Sequence, residues 1–109
     1  MSERSSARSW HFHPAAGPEL YADVERLRAE DLQVAQNFEA EVSKAIARLL
    51  EFPEIGPEAG KRGGLVVRKL KLHGFRYSIV YAVVADEIRI YAVAHHSRMP
   101  LYWIDRVQT

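Results

Sequence analysis

The chain has 109 residues, with 15 lysines and arginines against 14 aspartates and glutamates, a formal net charge of +1. That is the size of one domain, able to bury most of its apolar surface without staples. It contains no cysteine, which excludes disulfides and thiolate metal sites and suits a reducing cytoplasm; no apolar run approaches a membrane span.

The opening segment "MSERSSARSW" has no apolar stretch of the kind a signal peptide needs. Residues 1–9 read as a disordered leader and residues 10–109 as a single domain. "WHFHP", Trp10 to Pro14, alternates and suggests a first strand, with Trp10 and Phe12 on one face and His11 and His13 on the other. Pro18 fits the first turn of a helix whose apolar stripe is Leu20, Val24 and Leu27. Asp31 suits the cap of a second, longer helix. Val34 or Ala35, then Phe38, Val42, Ala45, Ile46 and Leu49 recur at spacings of three and four, giving it one apolar face. The two helices read as an antiparallel hairpin with a very short joint.

"FPEIGPEAGKRGG", Phe52 to Gly64, carries two prolines and four glycines and reads as a loop. After it the period changes to two. In "LVVRKLKLH", Val66, Leu70 and Leu72 share one face with Arg68, while Lys69, Lys71 and His73 take the other. Gly74 marks a turn. "FRYSIVYAVV" then places Phe75, Tyr77, Ile79, Tyr81 and Val83 opposite Arg76, Ser78, Val80, Ala82 and Val84. A tight connection at Asp86-Glu87 leads to "IRIYAVAH", Ile88 to His95. Pro100 restarts a short helix whose Leu101, Trp103 and Ile104 pack back on the domain. The expected fold is therefore α+β: βααβββ, a helix hairpin on one face of a largely antiparallel four-stranded sheet, with a short C-terminal helix and the other sheet face open.

Charge is unevenly spread. Residues 19–58 hold ten acids and four bases, a net of −6, whereas residues 59–76 hold six bases and no acid. Lys69, Lys71 and Arg76, with the corner His95-His96-Ser97-Arg98, make a candidate anion-binding face. Lysine and arginine stabilise phosphate oxygens and histidine shuttles protons near neutral pH, so the set suits attack of a ribose hydroxyl on its phosphate. The plainer reading is a solvated basic face that meets an acidic protein. No metal is expected: adjacent histidines on a strand point opposite ways, and no carboxylate sits at ligand spacing beside His11/His13 or His95/His96. Tyr77 and Tyr81 share a face with Ile79 and Val83 and read as core; Tyr91, Tyr102 and Trp103 remain open to either core or base stacking. No cofactor motif is present.

The order βααβββ, the "FPEIGP" loop, "RKLKLHGFRYSIVYAV" and "AVAHHSRMPLYWIDR" together resemble the RelE/ParE superfamily of bacterial toxins, from about Phe12 to Arg106. The resemblance implies the toxin half of a type II toxin–antitoxin pair, often labelled a plasmid stabilisation protein. Its partner would be a small, acidic, DNA-binding antitoxin whose C-terminal segment wraps the toxin between the helix hairpin and the sheet. RelE-like members cut messenger RNA in the ribosome without metal; ParE-like members poison DNA gyrase. On the RelE-like pattern Lys69 and Lys71 match the two strand lysines, but Ser78 stands where a catalytic arginine is typical. Arg76 is two residues away on that face, Arg98 lies near the C-terminal basic position, and Tyr102 follows it. The ending resembles ParE-type proteins. The reading is thus a ParE-like toxin that binds gyrase without bond-making chemistry, with Arg68, Lys69, Lys71, Arg76 and Arg98 as target-binding residues. The alternatives are a ribosome-dependent endoribonuclease using Lys69, Lys71, Arg76, His95, His96, Arg98 and Tyr102, and a non-toxic module that only binds antitoxin.

Overall fold

A computed structural model of the chain describes residues 9–107. The expected leader lies outside them except for Ser9, which opens the first strand. The elements run β1 (Ser9–Phe12), α1 (Ala16–Glu30), α2 (Leu32–Glu51), β2 (Glu58–Arg62), β3 (Leu65–Lys71), β4 (Tyr77–Val84) and β5 (Glu87–His95), ending in a single 3-10 turn at Ile104–Arg106. The five strands form one mixed sheet in the order β1-β5-β4-β3-β2. β1 runs parallel to β5, and the other pairings are antiparallel.

The hairpin forms as its sequence requires. Asp31 has an extended backbone, and its carboxylate accepts from the Gln33 and Val34 amides, capping α2 while α1 ends on the same residue. Ala35, Phe38, Val42, Ala45, Ile46 and Leu49 are all buried along α2. All of these but Ala35 pack on Leu70, Leu72, Tyr77, Ile79, Tyr81, Ile88, Ile90 and Val93 from the sheet, which is the main core. Val34, the other candidate for the stripe, is exposed.

Three expectations are corrected. The sheet has five strands, because part of the supposed loop 52–64 is β2, joined to β3 by Gly63 and Gly64 with φ of 56° and 83°. Two successive left-handed residues match the right-handed twist of a two-residue hairpin, and glycine adopts them freely. Next, the second sheet face is not left open. Trp103 and Val107 are buried there against Val67, Val80, Ala82, Tyr91, Ala92 and Ala94, so the C-terminal segment straps that face. Lastly, Pro100 starts no continuous helix; turns lead into the 3-10 turn, with Trp103 buried, Ile104 half-buried and Leu101 exposed.

β5 carries a bulge. Val80 pairs with Ala92 and Tyr81 with Ile90, so Tyr91 is the extra residue. Tyr91 and Ala92 therefore both turn toward the strap. The strap is anchored by Arg106, which donates to the Tyr91 carbonyl at 2.9 Å and through both terminal nitrogens to the Glu19 carboxylate. Arg62 donates from Nε to the Val107 carbonyl at 3.1 Å.

Candidate functional site

Two of the concave surfaces among the described residues lie on opposite sides of the sheet. On the hairpin side, Trp10 and Phe12 of β1 meet Leu20 and Val24 of α1 and Val42, Ile46 and Leu50 of α2 around a groove of about 510 Å³. Its lining is apolar because a four-residue edge strand covers less of the helices than the longer β4 and β5 do. At the rim Arg28 bridges Glu25 at 3.1 Å and Glu39 at 3.5 Å, tying α1 to α2.

On the strap side, where β5 ends, a smaller cavity of about 100 Å³ is lined by Lys69, Ser78, His96, Arg98, Tyr102 and Trp103 among others. Strand alternation brings Lys69 and Ser78 to this face, since β3 and β4 pair in a register that sets Lys71 opposite Ser78. Ser78 is 8% exposed, and its Oγ is 3.0 Å from His96 Nε2. Arg98 stacks on the Tyr102 ring, 3.8 Å from its centroid, and the Lys69 ammonium lies 5.8 Å from the Trp103 ring centroid. Such contacts hold the cations over aromatic faces while leaving them unneutralised. Partial desolvation, and then the charges of Lys71, His95 and Lys69, hold the His96 pKa below its ordinary value of 6.5. His96 is therefore neutral at pH 7, able to accept from or donate to the Ser78 hydroxyl.

The structure divides the residues singled out from the sequence. Lys69, Ser78, His95, His96, Arg98 and Tyr102 border the small cavity. His95 turns its ring the other way, edge-on to Tyr77 at 4.9 Å, with Nδ1 held by the backbone and hydroxyl of Ser97. Lys71 lies outside the cavity and folds toward the β3–β4 turn, with Nζ 3.3 Å from the Leu72 carbonyl. Arg76 is exposed in that turn, where its carbonyl accepts from the His96 amide. Arg68 is on the hairpin side. Its Nη1 donates to the carbonyls of Glu54 and Gly56, stapling the 52–57 loop to β3. Tyr77 and Tyr81 are buried in the main core, and Trp103 is buried where the strap meets the sheet. His11 pairs with Glu87 at 3.1 Å and His13 Nδ1 accepts from the Ala15 amide. Among the described residues no three histidines or carboxylates gather as a metal-binding group.

Sequence reasoning missed Glu19 and Arg106. Their signal is weak, being two ordinary charges 87 positions apart. They nevertheless bear on the corner: the Arg106 guanidinium lies 5.3 Å from the centroid of the Tyr102 ring on which Arg98 also stacks.

The chain is thus a two-layer α+β domain with an apolar groove on one side of the sheet and a cationic corner on the other. The family model for the ParE toxin of type II toxin–antitoxin systems, of the parDE type, matches residues 11–100. The chain belongs to that family, and a cognate antitoxin is the partner the family implies. No curated protein matches the chain. No helix among the described residues is long and apolar enough to cross a membrane.

Proposed function

We propose that this toxin arrests growth by binding DNA gyrase, and that its antitoxin neutralises it by laying an apolar-faced segment in the hairpin groove. The observation that carries the gyrase reading is Ser78. At the centre of the cationic corner, where a cleaving relative would hold a catalytic arginine, sits a nearly buried hydroxyl engaged with a neutral histidine. Phosphoryl-transfer chemistry needs a cation aimed at the developing charge, and a serine hydroxyl supplies none. The groove supports the antitoxin reading by its size and its largely apolar lining, which suit the apolar face of a bound segment. The natural environment of such a pair is the cytoplasm.

Induction of the chain without antitoxin tests the target. Gyrase poisoning gives the DNA-damage response and gyrase-linked strand breaks. Rapid loss of messenger RNA with intact DNA would overturn it. That second outcome is the mark of a ribosome-dependent nuclease, a reading favoured by the convergence of Lys69, His96 and Arg98 on one cavity. Normal growth on strong induction would instead identify a module that binds antitoxin and nothing else.

A further inference from the structure

We propose that the tip Arg98–Leu101 and the small cavity behind it form a second protein-docking surface, which takes an acidic segment carrying one aliphatic anchor side chain. Three observations converge on this. Met99 is 76% and Leu101 46% exposed, side by side with the exposed Pro100. Leu101 has φ 62°, a left-handed conformation that a branched aliphatic residue adopts at a cost, and it holds the side chain outward rather than in the core. Beneath the tip, the cavity of about 100 Å³ is lined by Ala94, Met99, Leu101 and Trp103 together with Lys69 and Arg98. It is smaller than a cavity of about 150 Å³ that admits benzene, so it suits an aliphatic side chain rather than an aromatic one.

The charges specify what flanks the anchor. Neither Lys69 nor Arg98 has an ion-pair partner among the described residues, and each is poised over an aromatic ring. Lys71 lies close enough to act on His96, and no carboxylate lines the cavity. Carboxylates on either side of the anchor would find these cations already oriented. A nucleic acid fits less well. Base recognition on such a surface needs an open aromatic platform, but Trp103 is 1% exposed and the face of Tyr102 is occupied by Arg98. Exposed Met99 and Leu101 would meet phosphates with no gain. This surface is on the opposite side of the sheet from the hairpin groove, so the proposal goes beyond the antitoxin reading; it shares Lys69 and Arg98 with the nuclease reading, and the nucleic-acid arm of the test separates the two.

The full chain with Trp10→Phe leaves Trp103, beside the cavity, as its sole tryptophan. The probe is the capped peptide EELEE, followed by Trp103 emission and by the amide signals of residues 97–101. Saturable changes at both are expected. Affinity should fall about tenfold for EEAEE, which lacks the anchor, and by a similar factor in Lys69→Gln and Arg98→Gln. KKLKK should not bind. Met99→Ser, at a position too exposed to affect folding, should weaken EELEE binding several-fold. The proposal is overturned if EELEE leaves Trp103 and the tip unchanged at millimolar concentration, or if EEAEE or the charge variants bind equally well. It is equally overturned if an eight-nucleotide single-stranded DNA or RNA binds the tip more tightly than the peptide.

Discussion

At the scale of single residues, two positions show how little freedom the site-bearing framework has. Gly56 sits where a Cβ would lie 2.9 Å from both the Lys69 carbonyl oxygen and the Tyr81 hydroxyl. Its amide donates to that hydroxyl at 3.0 Å, and its carbonyl accepts from Arg68. A side chain here pushes the 52–57 loop off β3. Gly56→Ala should therefore cost about 1–3 kcal/mol, measured by denaturant unfolding, through overpacking and loss of the buried hydrogen bond. His96 gives a prediction of a different kind. Its pKa is lowered by partial desolvation, then by Lys71, His95 and Lys69. The folded state therefore resists its protonation, so its contribution to stability is complete above the unfolded value near 6.5 and lost as pH falls through the lower folded value. An NMR titration should find His96 titrating below 6.5, and Lys69→Gln combined with Lys71→Gln should move it upward. An unchanged titration in the double variant would remove those lysines as a cause.

At the scale of elements, turn chemistry and capping set the register on which the cationic corner depends. The β4–β5 hairpin turns through Ala85 and Asp86, with φ of 51° and 65°. Asparagine tolerates the left-handed region better than alanine, so Ala85→Asn should stabilise the domain by about 0.5–1 kcal/mol, read as a rise in the denaturation midpoint. Asp31→Ala should cost about 0.5–2 kcal/mol by removing the α2 cap. These elements also show what a sequence reveals. The α2 stripe was legible because burial of one helix face imposes spacings of three and four, and Asp31 because few residues cap. The alternation of β3 and β4 was legible for the same reason, and it placed Lys69 and Ser78 on one face. β2 was hidden because "EAGKR" is a polar edge strand with a glycine and a register shift between Glu58 and Gly60, so it has no apolar alternation to detect. Its one signal was Gly63-Gly64, a two-residue hairpin joint set among other glycines and prolines. The cavity was legible only as a set of residues, Lys69 with the His95–Arg98 corner, and not as an enclosure, because half its wall comes from the strap. What holds the strap is tertiary: Trp103 and Val107 against the sheet, and Arg106 against Glu19.

At the scale of the whole molecule, the strap ties the C-terminal turn to α1 and the sheet, and it does so through a titratable group. Arg106 joins the C-terminal turn to α1 through Glu19, and to β5 through the Tyr91 carbonyl. Its guanidinium and that of Arg98 both lie against the Tyr102 ring. Loss of the Glu19 carboxylate charge therefore loosens the strap and with it the posture of Arg98. The hydrogen bonds from Arg106 hold the Glu19 pKa below its ordinary value of 4.5, against the opposing effect of burial. A carboxylate with a depressed folded pKa stabilises the fold above its unfolded pKa, and that contribution is lost as pH falls through the folded value. The window thus opens below about pH 4.5, whereas that of His96 opens below about 6.5. Hydrogen exchange across residues 103–107, with Trp103 emission as a second reading, should show the strap losing protection on acidification before β4 and β5 do. Glu19→Gln should show the loosened strap already at pH 7, at a cost of about 1–3 kcal/mol for the charge-assisted hydrogen bonds, with no further change in that acid window. Strap amides that lose protection only together with the central strands would show that burial of Trp103 and Val107 alone holds the segment down.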